Sequence, residues 1–176
     1  MAQTLVALMG VFLVVSLFIH GRRRPGYSHR IHTISELAEA GSPLEKTVSY
    51  GVFLPIGLAM GALAWWLQGN EAALMFTASL AVGYGCAAIF PIDPDAPALG
   101  TWRNGLHNLS AGASYVLAMG GFETLARDQG SPYDLGKFLI FGFILSIYVP
   151  GLRDWRGLLQ RVTEVAIFAG TFASVS

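Results

Sequence analysis

Residues 4–24 read TLVALMGVFLVVSLFIHGRRR. Sixteen positions pass, Thr4 to Ile19, with no charged side chain, and three arginines then follow in a row. A helix needs about 20 mainly apolar residues to cross a bilayer. No basic segment precedes this run and no small-residue cleavage site follows it, so it is predicted to be an uncleaved first membrane helix. The arginines mark the side on which it ends.

The same pattern recurs along the chain. Six apolar stretches approach membrane length, at residues 4–20, 49–67, 71–90, 107–125, 136–149 and 158–175. Backbone groups in lipid must find partners within their own segment, so these runs are expected to be helices. The predicted fold is all-α, a single-domain bundle of six transmembrane helices. Composition agrees. The 176 residues are 53% hydrophobic and 12% charged, against about a quarter charged in a soluble domain. The formal net charge is zero, so no bulk attraction to nucleic acid is implied. A single cysteine, Cys86, excludes an internal disulfide and a cysteine-only metal site.

Basic residues predict the orientation. If the loop after the first helix is cytoplasmic, that side holds Arg22, Arg23, Arg24, Arg30, Lys46, Arg103, Arg153, Arg156 and Arg161. The far side holds Arg127 and Lys137. Both termini are then non-cytoplasmic, and the helix count is even. Gly57 and Gly61 form a Gly-x-x-x-Gly pair, and Gly83 with Ala87 repeats the spacing. Small residues at this interval let helix backbones approach closely. Pro55 is expected to kink the second helix.

Polar chemistry collects in the loops of the arginine-rich side. The first, residues 21–48, has Ser35 placed to cap a short helix starting at Glu36. Ile31, Ile34 and Leu37 recur at helical spacing, which would lay this piece along the membrane surface. The second, FPIDPDAPALGTWRNGLH at residues 90–107, carries Asp93, Asp95, Arg103 and His107. A short connection makes the flanking helices neighbours, so these residues and Glu36 are expected to converge. Such a set suits acid–base work, metal binding or a polar lipid headgroup. Glu36, Asp93 and His107 are the candidate catalytic residues; Ser35, Arg103 and Asp95 are the candidate ligand contacts. A planar guanidinium at Arg103 suits a lipid phosphate. Asp93 is the candidate partner for the His107 ring.

Plainer roles stand beside these. Asp93 can cap the turn between Pro91 and Pro94. Asp95, His29 and His32 can be solvated, and Glu36 is favoured at a helix start by the dipole alone. Arg161 and Glu164, one turn apart, are expected to form an internal salt bridge. The sequence names no metal and no cofactor. A haem would need two inward histidines; His20 and His107 lie at the right face, with nothing to make them a pair. No phosphate loop, nucleophile elbow or dinucleotide fingerprint is present.

At Tyr27-Ser28, Ile34-Ser35-Glu36-Leu37 with Gly41 and Pro43, Phe90-Pro91-Ile92-Asp93, and His107 with Ala111-Gly112-Ala113, the chain resembles the DUF998 family. These are bacterial and archaeal membrane proteins of unknown function, so the resemblance implies the inner membrane of such a cell. Ala38 stands where that family tends to have glycine. A more distant likeness is to the six-helix Frag1/DRAM/Sfk1 group, through Ser35-Glu36 and His107, and it implies lipid handling. Three readings follow: lipid binding or modification at the cytoplasmic face, a non-catalytic accessory subunit of a larger membrane complex, and a metal-dependent membrane hydrolase. The last needs three of His29, His32, Glu36, Asp93, Asp95 and His107 around one ion. Membrane lipids are the expected partners, with other membrane subunits in the second reading.

Overall fold

The computed structural model describes residues 1–175, and every regular element among them is helical. Six helices make up the bundle. They are α1 (Ala2–Arg23), α2 (Glu45–Trp66), α3 (Glu71–Ile89), α4 (Trp102–Gln129), α5 (Leu135–Tyr148) and α6 (Arg156–Ser174). The all-α expectation holds, and so does the helix count. By length and apolarity, α1, α2 and α3 each suffice to cross a membrane, and α5 with the 3-10 turn Pro150–Trp155 and α6 qualifies as one broken span bent by 119°. The chain is therefore a helical membrane protein.

Helix α4 departs most from expectation. It starts at Trp102, five residues before the predicted His107, and runs for 28 residues. Thr101 caps it, its hydroxyl accepting the Asn104 amide at 3.3 Å. Its polar side chains, Asn104, His107, Ser114 and Thr124, are buried, Asn104 beneath the second loop, so it does not need the uniform apolarity of a lipid-facing span. Helix α2 also begins early, at Glu45, and accommodates Pro55 through a π-helical turn over Ser49–Phe53. A proline supplies no N–H to the preceding turn, and a π turn re-registers the ladder there.

Helix α3 packs along both α2 and α4, while α6 touches α1, α3, α4 and α5. The α2–α3 seam is as close as the Gly57 spacing predicts: a Cβ on Gly57 would lie 2.6 Å from the Gly85 nitrogen. In the core, Phe76 of α3 and Phe122 of α4 meet edge to face at 4.8 Å, and both rings abut Gly170 of α6.

Two ends can be told apart by their contacts. At one end Asn70 caps α3 through Ala73 and donates to the Ser174 carbonyl at 2.8 Å. Arg127 pairs there with Glu71 at 3.1 Å. Gly10 of α1 faces Phe168 of α6, while Phe18 of α1 and Leu158 of α6 flank the opposite end of their shared groove, so those helices run antiparallel, and the start of α1 and the end of α6 lie at this end. The other end gathers the first loop, residues 90–101 and the turn Pro150–Trp155.

Candidate functional site

The first loop does not lie along a membrane surface. Ile34, Leu37 and Ala38 are buried in the core, because polar anchors pull the loop inward over the bundle. Helix formation there is limited to the 3-10 turn Ser35–Ala38, and Ser35 caps nothing. Glu36 instead folds back onto Thr33. The Glu36 carboxylate accepts from the Thr33 amide at 2.5 Å and its hydroxyl at 2.7 Å. Thr-x-x-Glu is a capping-box spacing, and the glutamate half of the box is made here, while the Thr33 hydroxyl donates to Glu36 and takes no helix amide. The other Glu36 oxygen takes Arg156 Nη2 at 2.8 Å, with both side chains buried.

Helix α6 supplies the remaining anchors. Arg156 Nε donates to the Ile31 carbonyl at 3.0 Å, and Gln160 Oε1 accepts the Ile34 amide at 2.6 Å. Arg161 Nη1 donates to the carbonyls of His29 and His32, at 2.8 and 3.0 Å, and Nη2 to the Tyr27 hydroxyl at 2.5 Å. The expected Arg161–Glu164 salt bridge is therefore absent from the described residues, since the guanidinium turns outward along α6 to the loop. Burial pushes the Tyr27 phenol up to about 12, against the opposing pull of Arg161. It stays protonated and donates to the Thr33 carbonyl at 2.8 Å. The His29 imidazole is pushed down by burial first, then by Arg161 and Arg22.

In the second loop, Asp93 is a structural clasp. Its carboxylate accepts from the Thr101 amide at 2.6 Å and hydroxyl at 2.9 Å. Its carbonyl accepts the Ala96 amide, closing a turn in which Pro94 is followed by Asp95 at φ 65°. Proline followed by a left-handed residue is the type II turn signature. Asp95 is exposed. Asn104, which the sequence did not single out, ties this loop together: its Oδ1 accepts the Asp93 amide at 3.1 Å and its Nδ2 donates to the Pro97 carbonyl at 2.9 Å. The two loops join where the Ala40 amide meets the Ile92 carbonyl at 2.9 Å.

His107 does not bond to Asp93. Its Nδ1 lies 2.8 Å from the Phe90 carbonyl. A carbonyl only accepts, so Nδ1 carries the hydrogen, and in the neutral ring Nε2 keeps its lone pair. His107 lines a small, partly open cavity of about 50 Å³ with Ser35, Tyr84, Ser114, Tyr115, Gln160 and Glu164. A space of that size holds a few waters. Glu164 is its most polar feature. Tyr84 donates to one carboxylate oxygen and Tyr115 to the other, each at 2.9 Å, and Gln160 Nε2 donates to the Tyr115 hydroxyl at 3.3 Å. No cationic side chain pairs with Glu164 among the described residues. Of the predicted site, the structure brings Ser35 and His107 to one cavity; Glu36, Asp93 and Asp95 are not in its wall. A charged residue inside an apolar helix was the signal for Glu164, and its two tyrosines carried none.

Glu164 also borders a second space. Between α1 and α6 runs an apolar groove of about 550 Å³, lined by Gly10, Val14, Leu17, Phe18, Leu158 and Phe168 among others, with Arg161, His29 and Glu164 on its wall. Arg161 Nε is buried and has no hydrogen-bond partner among the described residues. Those residues also contain no cluster of three His, Cys, Asp or Glu side chains placed to hold a metal ion, so the ligand set required of a membrane hydrolase does not assemble.

These features define a polytopic helical membrane protein whose loops fold inward over one end of the bundle. Residues 6–175 match the family model described as protein of unknown function (DUF998), and the chain belongs to that family. Comparisons with curated proteins and with solved structures return no match.

Proposed function

We propose that this protein binds a membrane lipid, with an acyl chain lying in the groove between α1 and α6. The observation that carries the reading is the pairing of that groove, about 550 Å³ and almost wholly apolar, with Arg161 in its lining, whose buried Nε has no partner. A buried donor without an acceptor is costly, and a lipid ester or phosphate oxygen would satisfy it while its chain fills the groove. From Gly10 to Phe18 the groove follows α1 for about 12 Å, long enough to hold part of one chain. Glu36 and Asp93 then act as structural residues that keep the loops closed over the end of the bundle. The arginine bias supports placing that end in the cytoplasm of a bacterial or archaeal cell, with both termini across the inner membrane.

Native mass spectrometry of protein extracted gently from its own membrane tests the reading. Val14→Trp fills the groove, and Leu109→Trp adds the same bulk at an exposed position of α4. Wild type and Leu109→Trp should carry one lipid per chain, and Val14→Trp should lose it. Equal lipid content in all three would refute the proposal.

A further inference from the structure

A second polar recess lies on a different part of the molecule, where α2 meets the second loop and the start of α4. It is a cleft of about 270 Å³ lined by Glu45, Lys46, Ser49, Tyr50, Trp102 and Arg103, with the α3 end as its floor. Lys46 and Ser49, three residues apart, share one face of α2, and Arg103 approaches from the first turn of α4. Neither Lys46 nor Arg103 forms an ion pair among the described residues. Arg103 lies 5.5 Å from the centre of the Trp102 ring. Glu45 is already engaged, accepting the Gly41 amide at 2.6 Å.

Ser49 supplies the second observation. The residue is 2% exposed, yet its hydroxyl has no hydrogen-bond partner. A helical serine usually bonds a carbonyl one turn back; Ser49 begins the π turn instead, and its hydroxyl is left buried and unpartnered in a residue that lines the cleft. The recess thus offers an ammonium, a guanidinium and a hydroxyl, all able to donate. Its one carboxylate, Glu45, takes the Gly41 amide on one oxygen, and the two cations outnumber it. An anion with several acceptor oxygens matches that set, and the guanidinium fork favours phosphate. The positive end of the α4 dipole adds to the attraction. Tyr50 and Trp102 are exposed at the mouth, as amphipathic rings are at a membrane interface.

We infer that Lys46, Ser49 and Arg103 form a phosphate-binding site, which nothing about the acyl groove requires. The phosphate can belong to a lipid headgroup or to a soluble phosphate ester, and one experiment separates them. Dihexanoyl phosphatidic acid and inorganic phosphate are titrated separately against the full chain in a neutral detergent, with dihexanoylglycerol as the uncharged control and native mass spectrometry as the readout. Wild type should take up one phosphate-bearing molecule. The double variant Lys46→Gln/Arg103→Gln should bind at least about tenfold more weakly, as loss of a charge-assisted hydrogen bond implies. Ser49→Ala should weaken binding severalfold without lowering the ligand-free Tm, because the buried hydroxyl it removes makes no internal bond. Uptake of phosphatidic acid alone supports a lipid headgroup; comparable uptake of inorganic phosphate supports a soluble ester. Affinity unchanged in all the variants, or equal uptake of the uncharged glyceride, overturns the site. Val14→Trp should leave this binding intact, so failure of the groove reading and failure of this one are distinguishable.

Discussion

Glu36→Gln is the most informative single change at the closed end of the bundle. The Glu36 carboxylate joins three donors, the Thr33 amide and hydroxyl and Arg156 Nη2. The Glu36 and Arg156 side chains are only 3% and 10% exposed. Glutamine keeps one oxygen and can still accept from Thr33. Its amide nitrogen then faces Arg156, leaving a buried guanidinium without its counter-charge. Breaking a buried pair from one side costs about 3–5 kcal/mol. At about 2–4 °C per kcal/mol for a chain of this length, Tm should fall by roughly 6–20 °C. Loss of circular dichroism in detergent on heating reads the Tm of this helical chain. Arg156→Gln should lower Tm comparably, and the double variant should lose less than the two singles added together, with a coupling of at least about 1 kcal/mol. A shift within 2 °C for Glu36→Gln, or strict additivity, would refute the assignment of this pair as the anchor of the first loop.

Gly157→Ala should release the same loop by another route, since a Cβ there would collide with the carbonyl oxygens of His29, Arg30 and His32; faster amide exchange over residues 29–34 is the expected sign. Tyr84→Phe should cost about 1–3 kcal/mol by stripping one oxygen of Glu164 of its donor, and Tyr115→Phe more, because it also removes the Gln160 contact; thermal unfolding ranks the two. Because the folded His29 is held below its usual value of 6.5, the unfolded chain binds its proton first. Its contribution to stability is therefore full above that value and declines as pH falls through it and on toward the folded value. Tm should drop between pH 7.5 and 5.5 by more in wild type than in His29→Gln.

Much of the architecture was legible because it depends on local properties. Apolar length and the demand that backbone groups pair within a segment lead to helices without reference to any neighbour. The close approach at Gly57 was likewise visible as spacing. The start of α4 was not, because Trp102 to Leu106 read as loop polarity until the Thr101 cap and the packing of Asn104 under the second loop are known. At the site, Glu36 was singled out as a candidate catalytic residue, and the structure pairs it with Arg156. Its type and position were apparent, while its partner lies 120 residues away. His107 was found through its place at a helix start, and its bond to Phe90 rather than Asp93 depends on where the intervening loop folds back.

By itself, then, the amino-acid sequence determined a membrane-embedded helical chain with its basic residues gathered at one end, since hydropathy and charge act residue by residue along the chain. Only the tertiary structure decided which polar groups meet. Arg161 and Glu164 are one turn apart on α6, yet the first reaches the carbonyls of the opening loop and the second is held by Tyr84 and Tyr115. A buried polar group takes the partner that packing brings within hydrogen-bond distance, and packing is fixed by which helix faces meet.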